Sequence, residues 1–231
     1  MKKLSRRNAL VAITAAFGSA WIGGLCTGRA ESVSSPDHKV VVYLQKGSPR
    51  GTDRTVSYMQ RELELQLQSA GYGVEWKVLG NRSSEAETAI AVVELRGTCR
   101  PPEANGYVEP VEDGASLAST AVDGGQVLPF SWINCGTLTQ LLGSSLARTA
   151  WGQREFLYGR AMGRLLAHEL YHLLANTREH AGSGVGKSAF SARDLLGEHF
   201  IFEGSTLAGF NAADSGTFTE TPAAEESGAG R

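Results

Sequence analysis

The chain has 231 residues, of which 22 are basic and 24 are acidic, a length that suits one domain with appendages. Residues 1–30 hold five basic side chains and no acidic one, so the formal charge changes from −2 for the whole chain to −7 without them. This acidic balance argues against a nucleic-acid-binding protein, which needs a basic surface.

The N-terminal 30 residues have the pattern of a signal peptide. A basic start leads into an apolar stretch at 9–25, and Gly28-Arg29-Ala30 offers small residues for cleavage after Ala30. The pair Arg6-Arg7 resembles a twin-arginine export signal, with ordinary Sec export as the alternative. We expect a periplasmic or extracellular protein without stable membrane insertion; an uncleaved N-terminal anchor is the other interpretation of so short an apolar stretch.

The predicted domain opens with two strands and a helix between them. The β-branched run Lys39–Gln45 is typical of a buried strand, and Gly73–Leu79 alternates apolar and polar residues as a second strand does. Between them, Thr52 or Asp53 caps a helix that runs to about Ala70. One face of this helix carries the apolar residues Val56, Met59, Leu63 and Leu67.

A third strand, a long loop, a last strand and a helix follow. Residues 89–95 are apolar and β-branched, whereas 97–125 are rich in Gly, Pro, Glu and Ser and predict a surface loop with a short edge strand at 116–122. This loop could border a substrate cleft or be an unimportant insertion. Residues 126–134 predict the last strand, and a helix is expected at about 137–150. The inward-facing residues of the last strand are expected to be Trp132 and Ile133.

Two cysteines, Cys99 and Cys135, remain in the mature chain. In an oxidising compartment they could pair, and the bond would stabilise the fold by roughly 3 to 4 kcal/mol if the geometry permits it. The alternative is two free buried thiols.

The longest predicted helix, at 153–175, carries the run His168-Glu169-Leu170-Tyr171-His172. Positions i and i+4 project from one helix face, so His168 and His172 can converge on one Zn²⁺ ion. Glu169 lies about 100° further round the helix axis, close enough to reach a water at the ion without becoming a ligand.

A third histidine, His180, follows the helix. Asn176 tolerates the left-handed backbone that ends a helix and would return His180 toward the ion. Zinc with three protein ligands keeps a fourth position open for water and lowers its pKa to about 7, so that Glu169 can act as general base in amide hydrolysis, most simply of a peptide bond. The alternative is a structural cluster in which buried His and Glu make ordinary hydrogen bonds.

The chain beyond His180 is predicted to contain a loop, a short helix and a tail. Ala181–Gly186 is glycine-rich but lacks the spacing of a phosphate-binding loop, so Lys187 is expected to be solvated. Ser191 would cap a last helix that runs to Phe200. Residues 211–231 have the composition of a disordered tail.

With its zinc helix and His180, the chain resembles the zincin metallopeptidases, the metzincin-like ones in particular. It is also similar to uncharacterised exported bacterial proteins with a His-Glu-x-x-His-Leu-Leu helix and a histidine at this longer spacing, over about residues 38–200. Metzincins place the third ligand six residues after the second, behind a glycine, whereas here the gap is eight and Asn176 is the helix breaker. The resemblance implies an α+β zincin-like domain at 31–210, with a mixed twisted sheet of about four or five strands packed on a helix and on the zinc-binding helix.

The chain departs from metzincins at two positions. Metzincins place a methionine beneath the metal, but no methionine follows Met162 here, so Val185 or another apolar residue would line that floor. No tyrosine follows Tyr171 to stabilise an oxyanion.

The third ligand is open to another assignment, because glutamate-zincins supply a carboxylate from a downstream helix. Asp194 or Glu198 could do so here, or could orient an imidazole, or could be plain surface charges. We favour His180, which needs only one turn of chain to reach the ion. His38 and His199 are expected at the surface.

The sequence therefore predicts an exported zinc-dependent endopeptidase that acts on protein or peptide substrates. His168, His172 and His180 would bind Zn²⁺, and Glu169 would be the general base and later the proton donor to the leaving amine. The alternative is a catalytically degenerate zincin-like binding or structural protein of the cell envelope, in which zinc only holds the fold.

Overall fold

The computed structural model describes residues 36, 38–45, 52–79, 89–103 and 114–214. The predicted signal peptide lies outside these residues, as does most of the predicted tail. None of the described helices is long and apolar enough to cross a membrane. In chain order the elements are β1 (His38–Leu44), α1 (Asp53–Ser69), β2 (Tyr72–Val78), β3 (Ala89–Arg96), β4 (Ala118–Asp123), β5 (Gln126–Asn134), α2 (Cys135–Leu146), α3 (Trp151–Leu174), a 3₁₀ turn (Gly184–Gly186), α4 (Ala192–Leu196) and α5 (Gly204–Asp214).

The described strands form one sheet in the order β2-β1-β3-β5-β4. β1 pairs in parallel with β2 and β3, β3 pairs in parallel with β5, and β4 runs antiparallel along the outer side of β5. Val40 and Val42 of β1 belong to the hydrophobic core, and Val41 between them is also buried. The five-stranded sheet is therefore mixed, and the predicted α+β class is confirmed.

Helix α3 is the central helix, and the backbone of α1 packs very closely along it. A Cβ atom added to Gly159 would lie 2.5 Å from the carbonyl oxygen of Thr55, and one added to Gly163 would lie 2.6 Å from that of Met59. Only glycine permits this approach without a shift of the helices. At the start of α1, the Thr52 hydroxyl oxygen accepts a hydrogen bond from the amide of Thr55 at 3.1 Å, which confirms the predicted cap.

Strand β5 has the predicted bounds, but the prediction that both Trp132 and Ile133 pack inward was wrong for Trp132. Ile133 is fully buried, whereas Trp132 is only partly buried and lies beneath the guanidinium of Arg96, which is 4.2 Å from its ring centroid. Neighbouring residues of a strand point to opposite faces, so only one of this pair can face the core.

The helices after β5 differ from the predictions in extent. Both α2 and α4 end four residues before their predicted ends. Helix α5 was not predicted, and it carries the chain past residue 210, where the domain was expected to end. The ring of Phe210 packs 5.3 Å from that of Tyr72 and 5.7 Å from that of Tyr171, so this helix completes the core.

Cys99 and Cys135 form a disulfide, with Cα atoms 4.8 Å apart and both residues fully buried. This is the first of the two alternatives left open by the sequence. The bond joins the segment that follows β3 to the first residue of α2, which places α2 against the end of the sheet.

Candidate metal centre

The two histidines of α3 face each other one helical turn apart. His168 and His172 are 6% and 9% exposed, and their Nε2 atoms lie 3.1 Å apart. A tetrahedral Zn²⁺ ion with Zn–N distances of about 2.0–2.1 Å would hold two nitrogens about 3.3 Å apart. The observed separation is close to the one that a shared ion requires.

The other ring nitrogens are both engaged by backbone carbonyls. His168 Nδ1 lies 2.7 Å from the carbonyl oxygen of Val185, and His172 Nδ1 lies 2.8 Å from that of Thr177. Since a carbonyl only accepts, each Nδ1 carries the proton and donates it, and each neutral ring keeps a lone pair on Nε2. Two lone pairs that face each other at 3.1 Å repel unless a cation lies between them. This donor set therefore fits a metal ion held by both Nε2 atoms.

Burial keeps the two imidazoles in the form that binds metals. It lowers the pKa of His168 to about 4, although the hydrogen bond to Val185 opposes that shift. Burial lowers the pKa of His172 as well, again against the hydrogen bond to Thr177. Both rings are consequently neutral near pH 7, and a metal ligand must be a neutral imidazole.

His180 reaches the pair through a backbone reversal just after α3. Asn176 has a left-handed φ of 43°, as predicted, and the amide of Thr177 donates to the carbonyl of His172 at 3.0 Å. The ring centroid of His180 lies 4.8 Å from that of His172 and 5.4 Å from that of His168. The ligand atoms of the three residues lie within 4.8 Å of one another, close enough for the group to hold one metal ion, and His180 is its exposed member.

A glycine-rich loop holds the carbonyl that orients His168. Val185 is fully buried, and its amide donates to the carbonyl of Ile201 at 3.0 Å. Gly184 has a φ of 61°, and a Cβ atom there would lie 2.4 Å from that same carbonyl oxygen. The sequence pointed to the Val185 side chain as an apolar floor and missed the role of its carbonyl, for which the flanking glycines were the available signal.

Glu169, the predicted general base, is buried beside the histidines. It is 5% exposed, and its Oε2 accepts a hydrogen bond from Thr120 Oγ1 at 2.7 Å. Burial raises the pKa of the Glu169 carboxyl to about 7, and the hydrogen bond from Thr120 opposes this rise. Sequence analysis did not identify Thr120, whose only signal was its place in the predicted edge strand.

These side chains open into a cleft between α3 and β4. A cavity of about 340 Å³ reaches from His168, Glu169 and His172 to the turn that carries Arg178 and His180. An adjoining cavity of about 260 Å³ shares Ala118, His168, Glu169 and Ser188 with the first. Its apolar lining residues are Leu117, Ala118, Leu165, Ala189 and Phe190. Part of the predicted loop region, residues 116–122, thus borders the cleft.

Asp194 and Glu198, the alternative candidates for the third ligand, lie outside the histidine group. Asp194 accepts hydrogen bonds from Ser191 and binds Lys187 Nζ at 2.9 Å, so the prediction that Lys187 is simply solvated was wrong. Glu198 is exposed, and neither of the other two histidines joins the group. In the part of the chain that the structure describes, the side chains placed to share one ion are His168, His172 and His180.

Comparison with known proteins adds no family to this site. No protein-family model matches the chain, and a search of curated proteins found no significant match.

Proposed function

We propose that the chain is an exported zinc-dependent metallopeptidase that hydrolyses peptide bonds. The observation that supports this most is the pair of Nε2 atoms 3.1 Å apart, each on a ring whose Nδ1 is committed to a carbonyl. A buried carboxylate, that of Glu169, lies beside them at an open cleft. Metal-assisted hydrolysis needs this combination of a metal site, a base and access for a substrate.

Zn²⁺ is the ion that suits these donors. Imidazole nitrogens bind zinc and other transition metals, whereas Ca²⁺ and Mg²⁺ prefer oxygen ligands. His168, His172 and His180 would hold the ion and leave a fourth position toward the cleft. Bound there, it would polarise a substrate carbonyl and make water a better nucleophile at neutral pH.

Glu169 would move the proton in this reaction. Its carboxylate takes a proton from water as the water oxygen bonds to the carbonyl carbon. The same carboxyl group returns that proton to the amide nitrogen as the C–N bond breaks. One water is consumed for each bond, and the products are one carboxyl group and one free amine.

Strand β4 indicates how a peptide would bind. It is the end strand of the described sheet, and an extended peptide can pair with such a strand through backbone hydrogen bonds. The residues of β4 that line the cleft are Ala118, Ser119, Thr120 and Val122. The adjoining cavity, with Leu165 and Phe190 in its wall, would take an apolar side chain of the substrate.

A zincin-like fold is part of the same proposal. It is supported by the order of elements, in which a mixed sheet and its helix precede a metal helix, a sharp turn and a third histidine. Val185 would take the place of the metzincin methionine in this proposal: it is buried, and its carbonyl accepts a hydrogen bond from His168 Nδ1.

Zinc analysis of the mature protein, purified without an affinity tag, tests the proposal together with two substitutions. We expect one zinc ion per chain, and its loss in His172→Ala. Glu169→Gln should keep the ion, while hydrolysis of a peptide library falls by about 100- to 10,000-fold because the general base is gone. Glu179→Gln, which changes a nearby exposed carboxylate, is the control and should keep both zinc and activity.

Each outcome decides between the candidates. Hydrolysis that survives Glu169→Gln would exclude the proposed mechanism. Zinc without hydrolysis of any peptide would favour the degenerate zincin-like envelope protein, for which the absence of a tyrosine after Tyr171 is the supporting observation. A protein without stoichiometric zinc would exclude both.

A further inference from the structure

We propose that Thr120 is the positioning residue for Glu169, and that it holds one carboxylate oxygen in place while the other stays available to the substrate water. This inference rests on the proposed function, since it assigns Glu169 a task that depends on its orientation. Thr120 lies on β4, across the cleft from α3, and no sequence motif singles it out.

The hydroxyl of Thr120 is at the centre of a short hydrogen-bond chain. Its Oγ1 lies 2.7 Å from Glu169 Oε2 and 3.0 Å from Ser131 Oγ. A threonine hydroxyl has one proton, and an ionised carboxylate only accepts. When Glu169 is ionised, as a general base must be, Thr120 therefore donates to Glu169 and accepts from Ser131.

The β4–β5 ladder fixes the positions of the residues in this hydrogen-bond chain. Thr120 and Ser131 are directly opposed in the β4–β5 ladder, and Ser131 is 2% exposed. The ladder shifts register immediately beyond them, where the next pair is Val122 with Val127. Irregularities of this kind change the direction of side chains next to functional sites. Pro129 lies within the segment of β5 where the register shifts, and it has no N–H to donate to the ladder.

Glu169 has little else to orient it. Within the described ranges, Thr120 is the one side chain that makes a hydrogen bond or ion pair with its carboxylate. The same hydroxyl also lies 3.2 Å from the Glu169 carbonyl oxygen, so it contacts both ends of the residue. With Oε2 bound, Oε1 remains to accept the proton. A displacement of about 1 Å at such a group can cost about 100-fold in rate.

Thr120→Val tests the inference, because it removes the hydroxyl and keeps the shape of the side chain. We expect zinc content and KM to stay unchanged while kcat falls by about 10- to 100-fold. Thr120→Ser, which keeps the hydroxyl, should recover most of the rate. Thr139→Val is the matched control: its hydroxyl binds Cys135 and Tyr158 on α2 and α3 at 2.8 Å, outside the cleft, so its loss should affect stability but not kcat.

Crystal structures of zinc-loaded wild type and Thr120→Val supply a readout that does not depend on activity. We expect the Glu169 carboxylate to leave its wild-type position in the variant. An unmoved carboxylate, or a Thr120→Val enzyme with wild-type kcat, would overturn the inference and leave the proposed function intact. A carboxylate that moves in a protein without peptidase activity would support the positioning role and overturn the proposed function.

Discussion

The two halves of α3 are packed in different ways, and the difference explains how one helix can be both the centre of the fold and the wall of the site. In the N-terminal half, Gly159 and Gly163 bring the backbone of α1 to the surface of the helix. In the C-terminal half, His168, His172 and Glu169 are buried, and groups from β4 and from the chain beyond the helix bind their polar atoms.

The first half is stabilised by the packing of two helices, whereas the second half requires several separate segments to be in place. A buried polar group without a partner lowers the free energy of unfolding by about 1–3 kcal/mol. The C-terminal half of α3 therefore depends on each of the segments that supply its partners. Arg164 lies between the halves and joins them. It is 3% exposed, binds Glu62 of α1 at 2.8 Å, and donates to the carbonyls of Leu195 and Gly197 around the end of α4.

Gly163→Ala should have the largest effect, because it disrupts the packing of α1 against the N-terminal half of α3. The added Cβ would lie 2.6 Å from the Met59 carbonyl, so the helices must separate, and we expect the free energy of unfolding to fall by about 2 to 3 kcal/mol in urea titrations. Gly152→Ala in the first turn of the same helix meets nothing within 4 Å and should raise stability by about 0.5 to 1 kcal/mol. Equal effects at both positions would contradict the importance of the close approach.

Gly184→Ala should weaken metal binding at the C-terminal half of α3 and leave the packing of α1 against the N-terminal half unchanged. A Cβ at this positive φ collides with the Ile201 carbonyl and displaces Val185, whose carbonyl orients His168. Loss of such an outer partner reduces metal affinity by about 10- to 100-fold, which a chelator competition titration would measure. Gly182→Ala is the control in the same loop, since its Cβ meets nothing within 4 Å. Unchanged zinc affinity in Gly184→Ala would show that the Val185 carbonyl is dispensable.

Asp194→Asn should have the smallest effect, and it separates stability from metal binding. Hydrogen bonds from Ser191 and the ion pair with Lys187 lower the pKa of the Asp194 carboxyl to about 2. The ionised form is thus favoured in the folded state, so the stabilisation is full above pH 4, where the unfolded carboxyl is also ionised, and disappears as the pH falls toward 2. Because the side chain is 30% exposed, solvent limits the contribution to less than about 1 kcal/mol.

Unfolding curves for wild type and Asp194→Asn at pH 7 and pH 2.5 would measure this difference, which should shrink at the lower pH. Zinc content at pH 7 should be the same in both proteins. A variant that folds but has lost its zinc would instead show that metal binding depends on Asp194.

Features that depend on a few neighbouring residues were predicted well. β5 has the predicted bounds, Thr52 caps α1, and Asn176 has the left-handed backbone that a helix end favours. Features that depend on tertiary packing were not. Helix α5 was not predicted: only its last four residues fall in the predicted tail, and it is held on the core by the contacts that Phe210 makes with aromatic rings far away in the chain.

The sequence by itself determined the face of α3 that carries His168 and His172, because the rise and turn of a helix bring residues four apart to one side. It also determined that Glu169 lies next to them and that the chain can reverse before His180. Only the tertiary structure decided which groups hold these side chains: the Val185 carbonyl 17 residues from His168, and the Thr120 hydroxyl 49 residues from Glu169. Such partners are brought together by the packing of strands and loops, and contacts over these separations leave no periodic pattern in the sequence.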